Sequence, residues 1–145
     1  MRLLGLDLGT RRIGVAVSDE LGFLAHGLTV LMRHGGQRDL DAIAQLAHEE
    51  EVVGVVIGLP LNMDGSEGEA AARARRFGAA LGAHLNLPVF LWDERLTTWE
   101  AEGIMNDALV RTRKRKQLVD KVAATLILQS YLDAKRPAND TENLP

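Results

Sequence analysis

The chain has 145 residues, enough for one domain that buries roughly two thirds of its unfolded surface without covalent staples. It contains no cysteine, which excludes a disulfide framework, a thiolate metal site and a cysteine nucleophile. The net charge is -3, but the charge is unevenly spread: Arg111, Arg113, Lys114, Arg115, Lys116 and Lys121 stand together with a single acid, Asp120, while acids gather elsewhere, as in Glu49, Glu50 and Glu51. One anion-facing surface is therefore expected, not a uniform basic field.

Residues 2–8 (RLLGLDL) are an apolar run that opens the sequence with no leader-like segment before it. No apolar run approaches the roughly 18 residues that would cross a bilayer, so a soluble, cytoplasmic protein is expected. This run predicts a buried strand ending at Gly9. Residues 12–18 alternate, with Ile13, Val15 and Val17 on one face and Gly14 and Ala16 on the other. The short Gly9-Thr10-Arg11 link predicts an antiparallel hairpin between the two. Asp19 to Gly22 has turn chemistry, and residues 24–32 return as a third strand, broken at His34-Gly35-Gly36.

A helix is predicted over residues 38–50, because Leu40, Ile43, Ala44 and Ala47 fall at helical spacing. Residues 52–58 (VVGVVIG) form a β-branched run without alternation, as for a strand covered on both faces. Gly58, Pro60 and Gly65 mark a loop. Ser66 with Glu69 has capping-box spacing and predicts a helix to about Leu85, with Ala70, Ala74, Phe77 and Leu81 as its apolar stripe. Val89 to Trp92 reads as a strand ending in Asp93-Glu94-Arg95. Thr97 with Glu100 predicts another capped helix to about Leu109. Residues 111–116 read as a basic loop, residues 117–134 as a central packed helix stopped by Pro137. Residues 1–136 are thus expected to form one domain, an α/β fold with a mixed sheet flanked by helices, and 137–145 a disordered tail.

Four acids stand out. Asp7 lies inside an apolar strand, where a carboxylate must be paired, bound to metal, or at a strand end beside a loop. Asp93 and Glu94 end another strand, and ligands collect at the carboxyl ends of strands in such sheets. Adjacent strand residues point to opposite faces, so only one of these two can share a site with Asp7. Asp120 shares a helix face with the core-type residues Ala123, Ala124, Ile127 and Tyr131, so its carboxylate is aimed inward and needs a cation; a surface pairing with Lys116 is the plainer alternative. Oxygen-only ligands suit Mg²⁺ or Mn²⁺, and two such ions about 4 Å apart can activate a water and stabilise the leaving oxygen of a phosphodiester. His26, His34, His48 and His84 show no ligand spacing. Trp92 and Trp99 read as core. Thr10, Arg11 and Arg12 follow the Asp7 turn and are placed to touch phosphates. Arg73 and Arg76, one turn apart, and the basic run Arg111, Arg113, Lys114, Arg115 and Lys116 are further candidates for nucleic-acid contact, or else solvated surface.

Four stretches carry a resemblance: Asp7-Leu-Gly-Thr-Arg-Arg-Ile-Gly-Val-Ala-Val-Ser-Asp19; Gly58-Leu-Pro-Leu-Asn-Met-Asp-Gly65 with Gly68; Asp93-Glu-Arg-Leu-Thr-Thr98; and Asp120-Lys-Val-Ala-Ala-Thr-Leu-Ile-Leu-Gln129. In this order, over nearly the whole chain, they resemble the YqgF/RuvX family of RNase H-like nucleases. The resemblance implies a mixed five-stranded sheet flanked by helices, related to RuvC-type Holliday-junction resolvases. It favours Glu94 over Asp93, and implies Asp7, Glu94 and Asp120 as catalytic acids holding two Mg²⁺ or Mn²⁺ ions. Arg95, beside Glu94, joins the candidates for nucleic-acid contact. Structured RNA, chiefly the 5′ end of precursor 16S rRNA, is the expected substrate, and branched DNA the alternative, cut by a monomer or a homodimer. Two other classes are weaker. Asp7-Leu-Gly-Thr10 also resembles the first phosphate loop of sugar-kinase or actin-like ATPases, but the chain is too short for their second domain. An inert nucleic-acid-binding module sits poorly with clustered acids near phosphate.

Overall fold

The computed structural model describes residues 1–96 and 112–136. Five strands, β1 (Leu3–Leu8), β2 (Arg12–Ser18), β3 (Ala25–Met32), β4 (Gly54–Leu59) and β5 (Val89–Asp93), form one sheet in the order β3-β2-β1-β4-β5. The first three are antiparallel neighbours, and β4 and β5 add on in parallel after crossover helices. Those helices are α1 (Gly36–Glu49) and α2 (Glu69–Leu85); a single 3₁₀ turn (Glu94–Leu96) follows β5, and α3 (Thr112–Lys135) closes the described chain. The mixed sheet with helices on both faces matches the expected architecture. Among the described residues no helix is long and apolar enough to cross a membrane.

Strand alternation sorts the side chains. Leu4, Leu6, Ile13, Val15, Val17, Val55 and Ile57 point to the face covered by α1 and α2, where they pack with Ile43, Ala47 and Leu81. The other face carries Gly5, Gly14, Ala16 and Val56, and there α3 lies with Ala124, Ile127, Leu128, Tyr131 and Leu132. Small residues on this face let α3 approach closely. A Cβ on Gly14 would stand 2.0 Å from the Asp120 carbonyl oxygen, and one on Gly5 would stand 2.7 Å from the Leu128 Cβ. β4 is buried along its whole length, which explains its unbroken apolar run.

Some boundaries differ from the sequence expectation. The first helix begins at Gly36, two residues early, because Asp39 stabilises its start: its carboxylate accepts hydrogen bonds from the backbone N–H groups of His34 (2.9 Å) and Gly35 (3.1 Å). The capping box at Ser66 does not form. The Ser66 hydroxyl is bonded to Asp64 (2.6 Å) inside the preceding turn, Gly68 takes the N-cap position, and the buried stripe of α2 includes Ala71 in place of Ala70. The run expected as a basic loop is helical from Thr112 onward, so Arg113, Lys114, Arg115 and Lys116 belong to the first turns of α3. Arg and Lys are good helix formers and need no apolar period to take up a helix. The helix expected from Thr97 and the tail from 137 lie outside the described residues.

Candidate active site

The carboxyl end of the sheet gathers the acids. Asp7 sits near the end of β1, opposite Gly14 of β2, on the face that α3 covers. β1, β4 and β5 are aligned so that Leu6 neighbours Ile57, and Ile57 neighbours Leu91. Asp7, Gly58 and Trp92 therefore lie one step further along at a common level. Phe90 and Trp92 face α3: both rings lie 5.5 Å from the Tyr131 ring, and the Trp92 indole N–H donates to the Ser130 hydroxyl (3.0 Å). That alternation turns Asp93 to the opposite face and brings Glu94 round to the side of Asp7.

Gly58 makes the meeting possible. A Cβ there would lie 3.2 Å from Glu94 Oε2, so the Glu94 carboxylate crosses β4 over the place where any other residue would project its side chain. Glu94 reaches Asp7 and the two carboxyls share a hydrogen bond. Carboxylates only accept, so this bond requires a proton held between them. The Asp7 carboxyl is pushed up from 3.8 to about 8, first by burial, then by the charges of Glu94 and Asp120. Glu94 is also raised, mainly by burial, with the Asp93 charge adding to it and the bond to Asp7 opposing it. With both carboxyls raised, a cation beside them would favour the ionised form of each.

Asp120 stands on α3 close enough for its charge to be felt at Asp7, but its own carboxylate is bound elsewhere. Arg12 Nε donates to Asp120 Oδ2 at 2.8 Å, with both side chains about one-fifth exposed (21% and 19%). The three acids are thus brought to one end of the sheet without converging at ligand spacing. Among the described residues no three acidic or histidine side chains form a ready-made metal cage. Asp93 is separate: Arg95 binds it through Nη2 (2.7 Å) and Nε, and its carboxyl is lowered chiefly by that hydrogen bond.

The basic candidates divide by location. Gly9, Thr10, Arg11, Arg12 and Asp120 line an open cavity of about 440 Å³ beside the acids. Thr10 and Arg11 are exposed at its rim. Arg73 lies across the Thr10 turn, 3.8 Å from Glu69 on the same exposed helix face, and Arg76 is exposed one turn on. Arg95 is committed to Asp93 and to the Met63 carbonyl oxygen (3.3 Å). Arg111 lies outside the described residues. Sequence reasoning did not single out Gly58 as part of the site, nor Arg12 as the partner of Asp120. The first had a legible signal, a glycine between a buried strand and a proline loop; the second had none, since the pair spans 108 residues.

This arrangement, a β3-β2-β1-β4-β5 sheet with acids at its carboxyl edge and a closing helix bearing another, is that of the RNase H-like fold. Thermus thermophilus RuvC in complex with a Holliday junction superposes with a TM-score of 0.55 over 93% of this chain and 95% of that one, and the fowlpox virus Holliday junction resolvase with 0.55 over 92% and 99%. At 14% identity these likenesses concern the fold alone. The sequence goes further. The family model described as "RuvX: Holliday junction resolvase" matches residues 1–134, and the chain belongs to this family. A relative from Myxococcus xanthus, 51% identical over all of this chain and 95% of its own, bears the name "Putative pre-16S rRNA nuclease"; so does one from a Geobacillus species, 48% identical over 94% of this chain and 100% of its own.

Proposed function

We propose that this protein is a divalent-metal-dependent endonuclease of the cytoplasm that trims the 5′ end of precursor 16S rRNA, with Asp7, Glu94 and Asp120 as its metal-holding catalytic acids. The observation that carries the reading is the meeting of two half-buried carboxyls from the ends of different strands, Glu94 laid over Gly58 toward Asp7, within reach of the Asp120 charge. Carboxylate oxygens are the hard donors that Mg²⁺ and Mn²⁺ prefer, and a divalent ion can take the place of the shared proton. The residues fit such an ion once Asp120 turns from Arg12 toward its fellows. When bound, one or two ions supply charge for activating water and stabilising the leaving oxygen of a phosphodiester.

The chain supplies the rest. Asp7 and Glu94 would hold the ion, and through it the phosphate, at a fixed place on the sheet edge, where partial shielding from water strengthens charge interactions. In this reading Thr10 and Arg11 at the cavity rim hold the flanking backbone, together with Arg73 and Arg76 on α2 and the basic residues of the first turns of α3. Relatives of about half identity, matched nearly end to end and named for pre-16S rRNA, favour RNA as the substrate.

The name of the family model favours a second reading, resolution of branched DNA. A resolvase cutting two strands symmetrically works as a two-fold dimer. Cleavage of precursor 16S rRNA and of a four-way DNA junction, each with Mg²⁺ and Mn²⁺ and with wild type and Asp7→Asn, decides between them. Cutting of the rRNA at its 5′ end by a monomer, lost in Asp7→Asn, is the expected result. Junction cutting by a dimer with the rRNA left intact would replace the first reading by the second.

A further inference from the structure

The third acid is held by a cation the protein brings itself. Arg12 opens β2 directly after the turn in which the Gly9 N–H donates to the Arg12 carbonyl (2.8 Å), so its backbone is fixed. The Asp120 backbone is fixed as well, pressed against Gly14 with no space for even a methyl group between helix and strand. Only side-chain torsions remain free on either side. In the conformation observed, Arg12 Nε takes Asp120 Oδ2, and the guanidinium lies on the wall of the cavity that opens beside the acids. Asp120 therefore stands between two demands: the Asp7–Glu94 pair on one side, short of positive charge, and Arg12 on the other.

We propose that Arg12 is a positioning residue that competes with the divalent ion for Asp120, keeping the third carboxylate out of the site until an ion is bound and then yielding it. This inference rests on the reading of Asp7, Glu94 and Asp120 as the metal-holding set. Two consequences separate Arg12 from a merely structural ion pair. Its charge lowers affinity for the ion in two ways: it occupies a ligand, and it repels a second cation over a few ångströms in a medium less screening than water. Its guanidinium also changes partners when the ion binds, becoming available to a backbone phosphate at the moment the site is loaded.

The test is Mn²⁺ binding to the protein without nucleic acid, read by calorimetry and by the electron paramagnetic resonance of free Mn²⁺, for wild type, Arg12→Gln and Arg12→Lys. Arg12→Gln should bind Mn²⁺ about tenfold more tightly. Arg12→Lys, which keeps the charge, should stay close to wild type. Equal or weaker binding in Arg12→Gln would overturn the inference while leaving the metal site itself intact; no binding in wild type would instead remove the metal reading on which it stands. A measurement on wild type needs no variant to fold. The Arg12 Nε–H resonance should shift on titration with Mg²⁺ at the same midpoint as Mg²⁺ binding, and a stationary resonance would show that the ion pair does not open.

Discussion

A carboxyl raised to about 8 inside a folded protein has consequences away from catalysis. In the unfolded chain Asp7 ionises near its ordinary 3.8, whereas in the metal-free fold it keeps its proton until about pH 8. The folded state binds more protons over that interval, so its stability must fall as pH rises from about 4 to about 8, with a slope of up to about 1.4 kcal/mol per pH unit. Asn at position 7 keeps the size and a donor while removing the titration. Asp7→Asn should therefore abolish cleavage yet make the metal-free protein more resistant to urea at pH 8 than wild type, with the advantage vanishing near pH 4. Denaturation midpoints in EDTA across that range check the sign; a wild type as stable as the variant at pH 8 would mean that the folded surroundings do not hold the Asp7 proton. The proton shared with Glu94 belongs to the pair, so the curve reports a joint titration. Addition of Mg²⁺ should remove the wild-type deficit, because an ion that binds only the folded state stabilises it.

The elements explain why Asp7 and Glu94 meet and why Asp120 stands beside them. Two glycines under α3 have different neighbours, and substitution should separate packing from chemistry. At Gly14 a methyl group meets the backbone of α3 at 2.0 Å, which cannot yield without moving the helix. Gly14→Ala should cost about 3 kcal/mol and displace Asp120 with the helix. At Gly58 the methyl group meets the flexible tip of Ile127 at 2.7 Å and Glu94 Oε2 at 3.2 Å. Gly58→Ala should cost only about 1 kcal/mol but push Glu94 off Asp7, so cleavage should fall far more than stability. Thermal unfolding beside the cleavage rate checks both, and parallel losses in the two properties at Gly58 would deny it a part in the site. The start of α1 offers a third case. Burial opposes ionisation of Asp39, but hydrogen bonds from His34, Arg33 and Gly35 and the Arg33 charge more than offset this and lower its carboxyl. Its contribution is therefore present above the ordinary carboxylate range and lost as acid protonates it. Asp39→Ala should cost about 2 kcal/mol at pH 7 and progressively less as pH falls below the ordinary carboxylate range, measured by denaturation across acid pH. Sequence periodicity revealed most of these elements because alternation in β2 and the unbroken run of β4 are imposed by which faces are covered. It could not say which face α3 covers, and so left Asp93 and Glu94 undecided on residue pattern alone; the contact of Trp92 with Tyr131 decides it. Ser66 had the spacing of a helix cap, but its hydroxyl was already taken by Asp64 in the turn before the helix.

A molecule of net charge -3 that acts on a polyanion must keep its positive charge local. The acids and the bases of this chain are sorted along α3 itself: Arg113, Lys114, Arg115 and Lys116 occupy its first turns, and Asp120 follows on the stretch that packs against β2. The composition of that run was plain in the sequence, but its geometry was not, because charged side chains leave no apolar period by which to recognise a helix. Helicity has a functional consequence. A loop would offer its charges over a wide and shifting area, whereas a helix continuous with the Asp120 segment keeps its first turns at a set distance from the acids, so that in the proposed reading their contacts to phosphate would also set where the cut falls. Replacing all four residues by Gln should therefore do more than weaken binding. Measured in the Asp7→Asn background to prevent cutting, the slope of log affinity against log salt should flatten by up to about three units, at somewhat under one unit per lost phosphate contact. In the cleaving protein the same replacement should blur the cut site on precursor 16S rRNA into several neighbouring positions. An unchanged salt slope would make these turns mere solubilising surface, and a weakened but still sharply placed cut would assign the positioning to the Thr10–Arg12 rim instead.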